Sequence, residues 1–219
     1  MYFFRPLLYI SVVWVFLQSD FYIAMRPASW QTAEMEKYMQ FIYETERLFL
    51  KILSAEDYKT VTAFYRENRT FLEPFEPHRP ENFYSESFQR SNLKCEYQAF
   101  MRMNYFRYWL FAQNAPETPL GSICFSNFLR GAFQKCMVGY KLAQTACHQG
   151  YMTEALSSLL PLIKRELKLH RIEAYVQPNN FSSIQLLNRL GFIEEGYLQK
   201  YAEINGQWMD HLIFSYLKP

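Results

Sequence analysis

The stretch Cys147-His148-Gln149-Gly150-Tyr151-Met152 has the order of a phosphate cradle. It follows a strand-like run, Met137-Val138-Gly139-Tyr140-Lys141-Leu142-Ala143, and passes at once into a helix-like run from Tyr151. The first turn of a helix carries backbone N–H groups with no partner of their own. They lie at the positive end of the helix dipole, so an anion is stabilised there. One glycine before a helix is also the pattern of an ordinary strand-to-helix turn, so the cradle gains weight only from its surroundings. Cys147 lies in the turn but has no His/Asn partner nearby, and it reads as a turn residue rather than a nucleophile.

Composition narrows the chemistry further. The 219 residues suit one domain, with a possible tail, and an apolar fraction of 50% suffices for a full core. The net charge of +2, with no dense Lys/Arg run, gives no electrostatic case for direct nucleic-acid binding. Cys95, Cys124, Cys136 and Cys147 form no CxxC pair and no His-rich cluster. The pattern predicts no metal site, and reduced thiols in a cytoplasmic protein. Twenty Phe and 17 Tyr point to a well-packed interior and an aromatic-lined cleft.

Leu7–Leu17, LLYISVVWVFL, is too short for a membrane span of about 20 residues, and no stable membrane insertion is expected. It resembles a signal-peptide core without the cleavage site that should follow. Three readings compete for residues 1–40: an upstream extension with the native start at Met25, Met35 or Met39, a weak membrane anchor, or an added element of the domain. The first is favoured, because the domain signal begins cleanly near Glu44.

Residues 45–53, TERLFLKIL, read as a first strand, and Ser54 with Asp57 has capping-box spacing for a helix to about Asn68. The stretch Phe71–Pro80, with three prolines, reads as an irregular loop, followed by a helical region over about 82–103. Strands are predicted at Tyr108–Gln113, Leu120–Asn127 and Cys136–Leu142, then a helix over Tyr151–Lys168 interrupted by Pro161. A strand at Arg171–Val176 precedes a short helix capped by Asn180 and closed by Gly191. Two last strands, Phe192–Ile204 and Gln207–Leu217, meet at Asn205-Gly206, a strong hairpin signal. The expectation is an α/β (α+β) mixed sheet with helices on both faces, in one domain over residues 44–219.

That order, with a phosphate-type turn after the third meander strand, resembles the GNAT acyltransferase fold. The match is carried by TERLFL (45–50), NRTFLEPFEP (68–77), VGYKLAQTACHQGYMTEAL (138–156) and HRIEAYVQPNNFSSIQLLNRLGF (170–192). With EEGY (194–197) and NGQWMDH (205–211) it is closest to the RimJ branch of the RimJ/RimL ribosomal-protein N-terminal acetyltransferases. The resemblance covers nearly all of 44–219 and none of 1–40. It implies acetyl-coenzyme A as donor and the N-terminal amine, alanine in the RimJ branch, of a ribosomal protein as acceptor. A monomer or homodimer is expected.

The resemblance also implies a site. The pyrophosphate would sit on backbone N–H groups of Cys147, His148, Gln149, Gly150, Tyr151 and Met152. The family's glutamine or arginine at the first turn position is Cys147 here, and its final small residue is Met152. The pantetheine would pair with the backbone of Tyr140, Lys141 and Leu142, and would meet Asn180 and Ser183. A backbone N–H near Leu142 would polarise the thioester carbonyl. Ser183 is the candidate acid or water orienter. The tyrosine acid of many relatives falls on Leu187.

Glu203 is the candidate base, but it lies one residue out of register, which on a strand turns a side chain to the other face. Without an obvious base the site suits an α-amine, where a missing base costs about 1 kcal/mol, over a lysine, where it costs roughly 4–5 kcal/mol. The rate is then expected to follow the acceptor's own ionisation. His170 reads as a surface or hinge residue and His211 as structural, while His78 is a candidate lining of the acceptor cleft, with Phe71, Phe75 and Trp208. A small-amine acetyltransferase and a non-catalytic acetyl-CoA-binding module are the alternatives.

Overall fold

The alternating run Leu48-Phe49-Leu50-Lys51-Ile52 forms strand β2 (Leu48–Ile52), which buries Leu48 and Leu50 completely on one face. In the computed structural model, which describes residues 39–218, a strand precedes it. β1 (Ile42–Glu44) pairs antiparallel with β2, and Met39 is fully buried in the same core. The folded domain therefore takes in residues ahead of Glu44. The readings for residues 1–38 lie outside the described residues.

Ser54 and Asp57 form the expected capping box ahead of helix α1 (Tyr58–Glu67). The proline-rich stretch is more regular than its sequence suggests. Helix α2 (Arg69–Leu72) runs into a 3-10 turn, Glu73–Phe75. Pro74 stands at the start of that turn, where its missing N–H costs no hydrogen bond. A second 3-10 turn, Glu81–Tyr84, leads to α3 (Glu86–Met101), capped by the Ser85 hydroxyl.

The meander follows as β3 (Phe106–Ala112), β4 (Ala115–Leu129) and β5 (Lys135–Leu142). Helix α4 (Tyr151–Glu166) runs straight through Pro161. Pro161 and Ser157, whose carbonyl loses its partner, are both exposed, so the freed acceptor is open to solvent. β6 (Arg171–Val176), α5 (Phe181–Leu190), β7 (Ile193–Ile204) and β8 (Gln207–Tyr216) complete the chain. Asn205 and Gly206 both have positive φ, 49° and 77°, as a two-residue type I′ hairpin requires.

The eight strands form one mixed sheet in the order β1-β2-β3-β4-β5-β6-β8-β7. Helices cover both faces. α4 and α5 pack on a core containing Tyr108, Ile123, Phe125, Leu156, Ile163 and Phe214. The other face, under α1 and α3, holds an aromatic cluster in which Phe64 and Tyr65 stand edge-on to Trp109.

One defect in the sheet positions everything else. β5 and β6 pair in parallel only over Lys135–Met137 and Arg171–Glu173. Beyond Met137 the two strands part. Ala143 donates its N–H to Leu120 O of β4 (2.7 Å), and Gln134 O accepts from His170 N at the start of β6 (2.6 Å). Because successive residues turn their backbone groups to opposite edges, Val138, Tyr140 and Leu142 aim N–H and C=O into the gap. No strand pairs with them on that side.

Candidate active site

A cleft of about 1140 Å³ opens through this gap. Cys147, His148 and Gly150–Thr153 line its mouth, together with Gln185 and Arg189 of α5. A smaller pocket of about 190 Å³ lies at the fork itself, bordered by Gly139, Tyr140, Tyr175, Asn180, Ser183 and His211.

Gly150 is the N-cap of α4, with φ +79°. That left-handed conformation is open to glycine at little cost. Intrahelical bonding begins with Glu154 N to Gly150 O (3.0 Å), which leaves the N–H groups of Tyr151, Met152 and Thr153 free at the cleft. The Met152 side chain is buried in the core, so only its backbone is offered to an anion. Gln149 turns its amide back to Thr145 O (2.7 Å) and does not line the cleft. Burial pushes the Cys147 thiol up, away from thiolate.

Two ties hold the turn that the sequence reading missed. The Glu154 carboxylate accepts from Thr45 Oγ1 (2.5 Å), Arg47 N (2.8 Å) and Arg47 Nε (2.7 Å). Burial alone would raise its pKa, but these donors hold it below the usual carboxylate range. Arg47 also donates to Gln149 O (3.0 Å) and lies over the Tyr151 ring. Asn68 accepts from Gln144 N (3.0 Å) on the other flank. The TERL motif thus works as a clamp on the turn. Its spacing from Glu154 along the chain gave no sign of that.

At the fork, Asn180 Oδ1 caps α5 by accepting from Ser183 N (3.2 Å). Capping therefore uses the Ser183 backbone and leaves its hydroxyl free. That hydroxyl meets the Tyr140 hydroxyl at 2.5 Å. Burial pushes the Tyr140 phenol up to about 12, although the bond to Ser183 opposes the rise, so the phenol keeps its proton at neutral pH. Leu187 is fully buried in the core, and the phenol beside Ser183 comes from β5. The strand itself was legible, but a contact across 43 residues was not.

The opposite wall is built by the proline-rich segment. Glu76 pairs with Lys141 of β5 and with Arg79 (2.9 Å). Burial would raise its pKa, but the two cations outweigh burial and hold it low. Asn205 of the hairpin tip donates to Glu73 O (2.7 Å) and ties this wall to β7 and β8. Phe71 and Phe75 line the cleft as expected, whereas His78 and Trp208 do not. Glu203 is exposed on β7 opposite Trp208 and is not brought to the cleft. His170 is exposed and also lies off it. Among the described residues no group of three or more His, Cys, Asp or Glu is placed to hold a metal, and no helix is long and apolar enough to cross a membrane.

Residues 47–193 match the family model of the acetyltransferase (GNAT) domain. The [ribosomal protein uS5]-alanine N-acetyltransferase of Escherichia coli (strain K12) is 35% identical over 175 residues, 80% of this chain and 90% of that protein. The probable N-acetyltransferase YjcK of Bacillus subtilis (strain 168) is 32% identical over 78% of this chain and 94% of that protein. The crystal structure of a ribosomal-protein-S5-alanine acetyltransferase from Vibrio fischeri superposes with a TM-score of 0.76, at 28% identity over 82% of this chain and all of that one. RimJ of Mycobacterium smegmatis, in complex with CoA-disulfide, shares the fold with a TM-score of 0.74 at 24% identity over 80% of this chain and 86% of that one. A forked β5/β6 pair, an open helix N-terminus at its mouth and a family match over residues 47–193 lead to one conclusion: the chain belongs to the GNAT N-acetyltransferases, of the RimJ/RimL type.

Proposed function

We propose that the protein transfers the acetyl group of acetyl-CoA to the N-terminal α-amine of a ribosomal protein, with alanine as the acceptor residue. The carrying observation is that one cleft joins the free N–H groups of α4 to the Tyr140–Ser183 pair. Acetylation of ribosomal-protein alanine is what the names of the similar proteins describe, and it supports the acceptor assigned here.

The donor's pyrophosphate rests on Tyr151, Met152 and Thr153 N–H at the mouth, with Arg189 nearby. Its pantetheine arm runs from Leu142 toward Val138 and adds a strand to the open edge of β5. The thioester then lies at the fork, so the N–H that polarises its carbonyl is that of Tyr140 or Val138. Leu142, the sequence-based choice, sits nearer the phosphates. The amine attacks the carbonyl carbon, the C–N bond forms and the C–S bond breaks. The Ser183 hydroxyl gives its proton to the departing sulfur, and Tyr140 backs Ser183.

Peptides with free N-terminal Ala, Ser or Met, and an N-blocked lysine peptide, are incubated with acetyl-CoA while thiol release is followed. Rapid release with the alanine peptide is expected. Equal rates on the blocked lysine peptide would refute the α-amine preference, and no release with any amine would refute the transfer reading.

A further inference from the structure

We propose that His211 is the general base that takes the proton from the acceptor amine. It rests on the transfer chemistry of the family and not on the acceptor's identity. His211 is 7% exposed on β8, and it borders the small pocket at the fork with Gly139, Tyr140 and Ser183. Its Nδ1 lies 3.0 Å from Met209 O. A carbonyl only accepts, so Nδ1 carries the hydrogen, and in the neutral ring Nε2 is the nitrogen left to act as a base.

The ring is held in place. Tyr201 stands edge-on to it at 5.5 Å, and Tyr201 in turn stacks on Tyr175 at 4.7 Å. Tyr175 pairs with Ile213, so Tyr175, Ile213 and His211 share one face of the sheet. Ala174 and Val176 face the opposite way, into the core under α4. His211 is therefore on the face of the Phe75 and Glu76 wall, while α5 brings Ser183 from the other face. Base and acid flank the fork.

The other basic groups at the cleft are poorly placed. Glu76 is tied to Lys141 and Arg79, and His148 belongs to the turn at the mouth. The ionisable groups facing His211 are Tyr201 from β7, Tyr175 from β6, with its hydroxyl on Glu173, and Tyr140 from β5. Its neighbour Asp210 is engaged by the Tyr197 hydroxyl and Lys200 N–H. The proline-rich wall adds Glu76, already paired.

The protons balance. An acceptor ammonium gives one proton to Nε2, which passes it to solvent through the cleft. The neutral amine forms the C–N bond, and thiolate leaves with the Ser183 proton. The second ammonium proton replaces the one Ser183 lost. The net products are the amide, free CoA thiol and one proton. Histidine suits an amine that titrates close to neutrality. This replaces the expectation that the rate simply follows the acceptor's own ionisation.

His211→Asn keeps a donor to Met209 O and removes the base. It is assayed with an alanine peptide and with a small primary amine, and the one that is acetylated is used. A fall in kcat of at least ~10²-fold near neutrality is expected, with acetyl-CoA affinity unchanged by calorimetry and a deficit that shrinks as pH rises. A variant within threefold of the parent, or a deficit equal at all pH values, overturns the proposal. A second measurement needs no variant. The acid limb of kcat/KM in the unaltered protein should stay at one pH when the acceptor is exchanged for an amine of different basicity. A limb that moves with the amine overturns the proposal even if His211→Asn does not fold.

Discussion

The Arg47 guanidinium and the Glu154 carboxylate meet at 2.7 Å across 107 residues, joining the entry of β2 to the first turn of α4. Glu154 carries negative charge beside the proposed pyrophosphate site. Arg47 neutralises it and fixes the turn through Gln149 O. Arg47→Ala should lower acetyl-CoA affinity on the order of tenfold, because Glu154 is then left uncompensated near the pyrophosphate. Glu154→Gln should be milder, since it removes the charge and keeps an acceptor. Calorimetric titration decides the order, and an Arg47→Ala affinity equal to the parent's would sink the clamp.

Gly150 has φ +79°, and a Cβ there would come 3.4 Å from the Arg47 guanidinium. Gly150→Ala should cost about 1 kcal/mol of stability through the left-handed backbone alone. Gly150→Asp adds a negative charge at the cradle and should abolish acetyl-CoA binding in a folded protein. Unchanged affinity would mean that the pyrophosphate lies elsewhere.

Ser183→Ala and Tyr140→Phe should each lower kcat by ~10²-fold or less. In the proposed transfer both hydroxyls serve one proton path, so the double variant should be little worse than the poorer single one. Multiplying defects in thiol-release kinetics would show that the 2.5 Å contact is not a shared path.

Starting the chain at Met39 should leave melting and turnover unchanged, because the described packing begins with that buried side chain. Starting at Thr45 removes β1 and Met39 together and should lower Tm by several degrees. If the two truncations melt alike, β1 contributes nothing.

Glu76 supplies a pH signature. Its folded pKa is held down, so the ion pair stabilises the protein fully above the ordinary glutamate value of about 4.3. That contribution is lost as pH falls through the lower, folded value. Glu76→Gln should melt below the parent at pH 6, and the gap should close in acid. A gap independent of pH would remove charge from the explanation.

The strands, helices and turns were legible wherever local chemistry decides them. Asn205-Gly206 gave the hairpin, Ser54 with Asp57 gave the cap, and the strand-Gly150-helix order gave the turn into α4. Short-range signals also misled. Three prolines suggested a loop, yet Pro74 begins a 3-10 turn because a first-turn position needs no N–H. β1 was missed because Ile42-Tyr43-Glu44 is too short to show alternation and forms only against β2. The pairing of side chains at the fork belongs to tertiary structure alone. Tyr140 and Ser183 are 43 residues apart, and Arg47 and Glu154 are 107 apart. His211 reaches the fork because β8 inserts between β6 and β7. Residue types and spacing along the chain encode a turn or a face. Which side chains meet across a gap is set by strand order and by where two strands stop pairing.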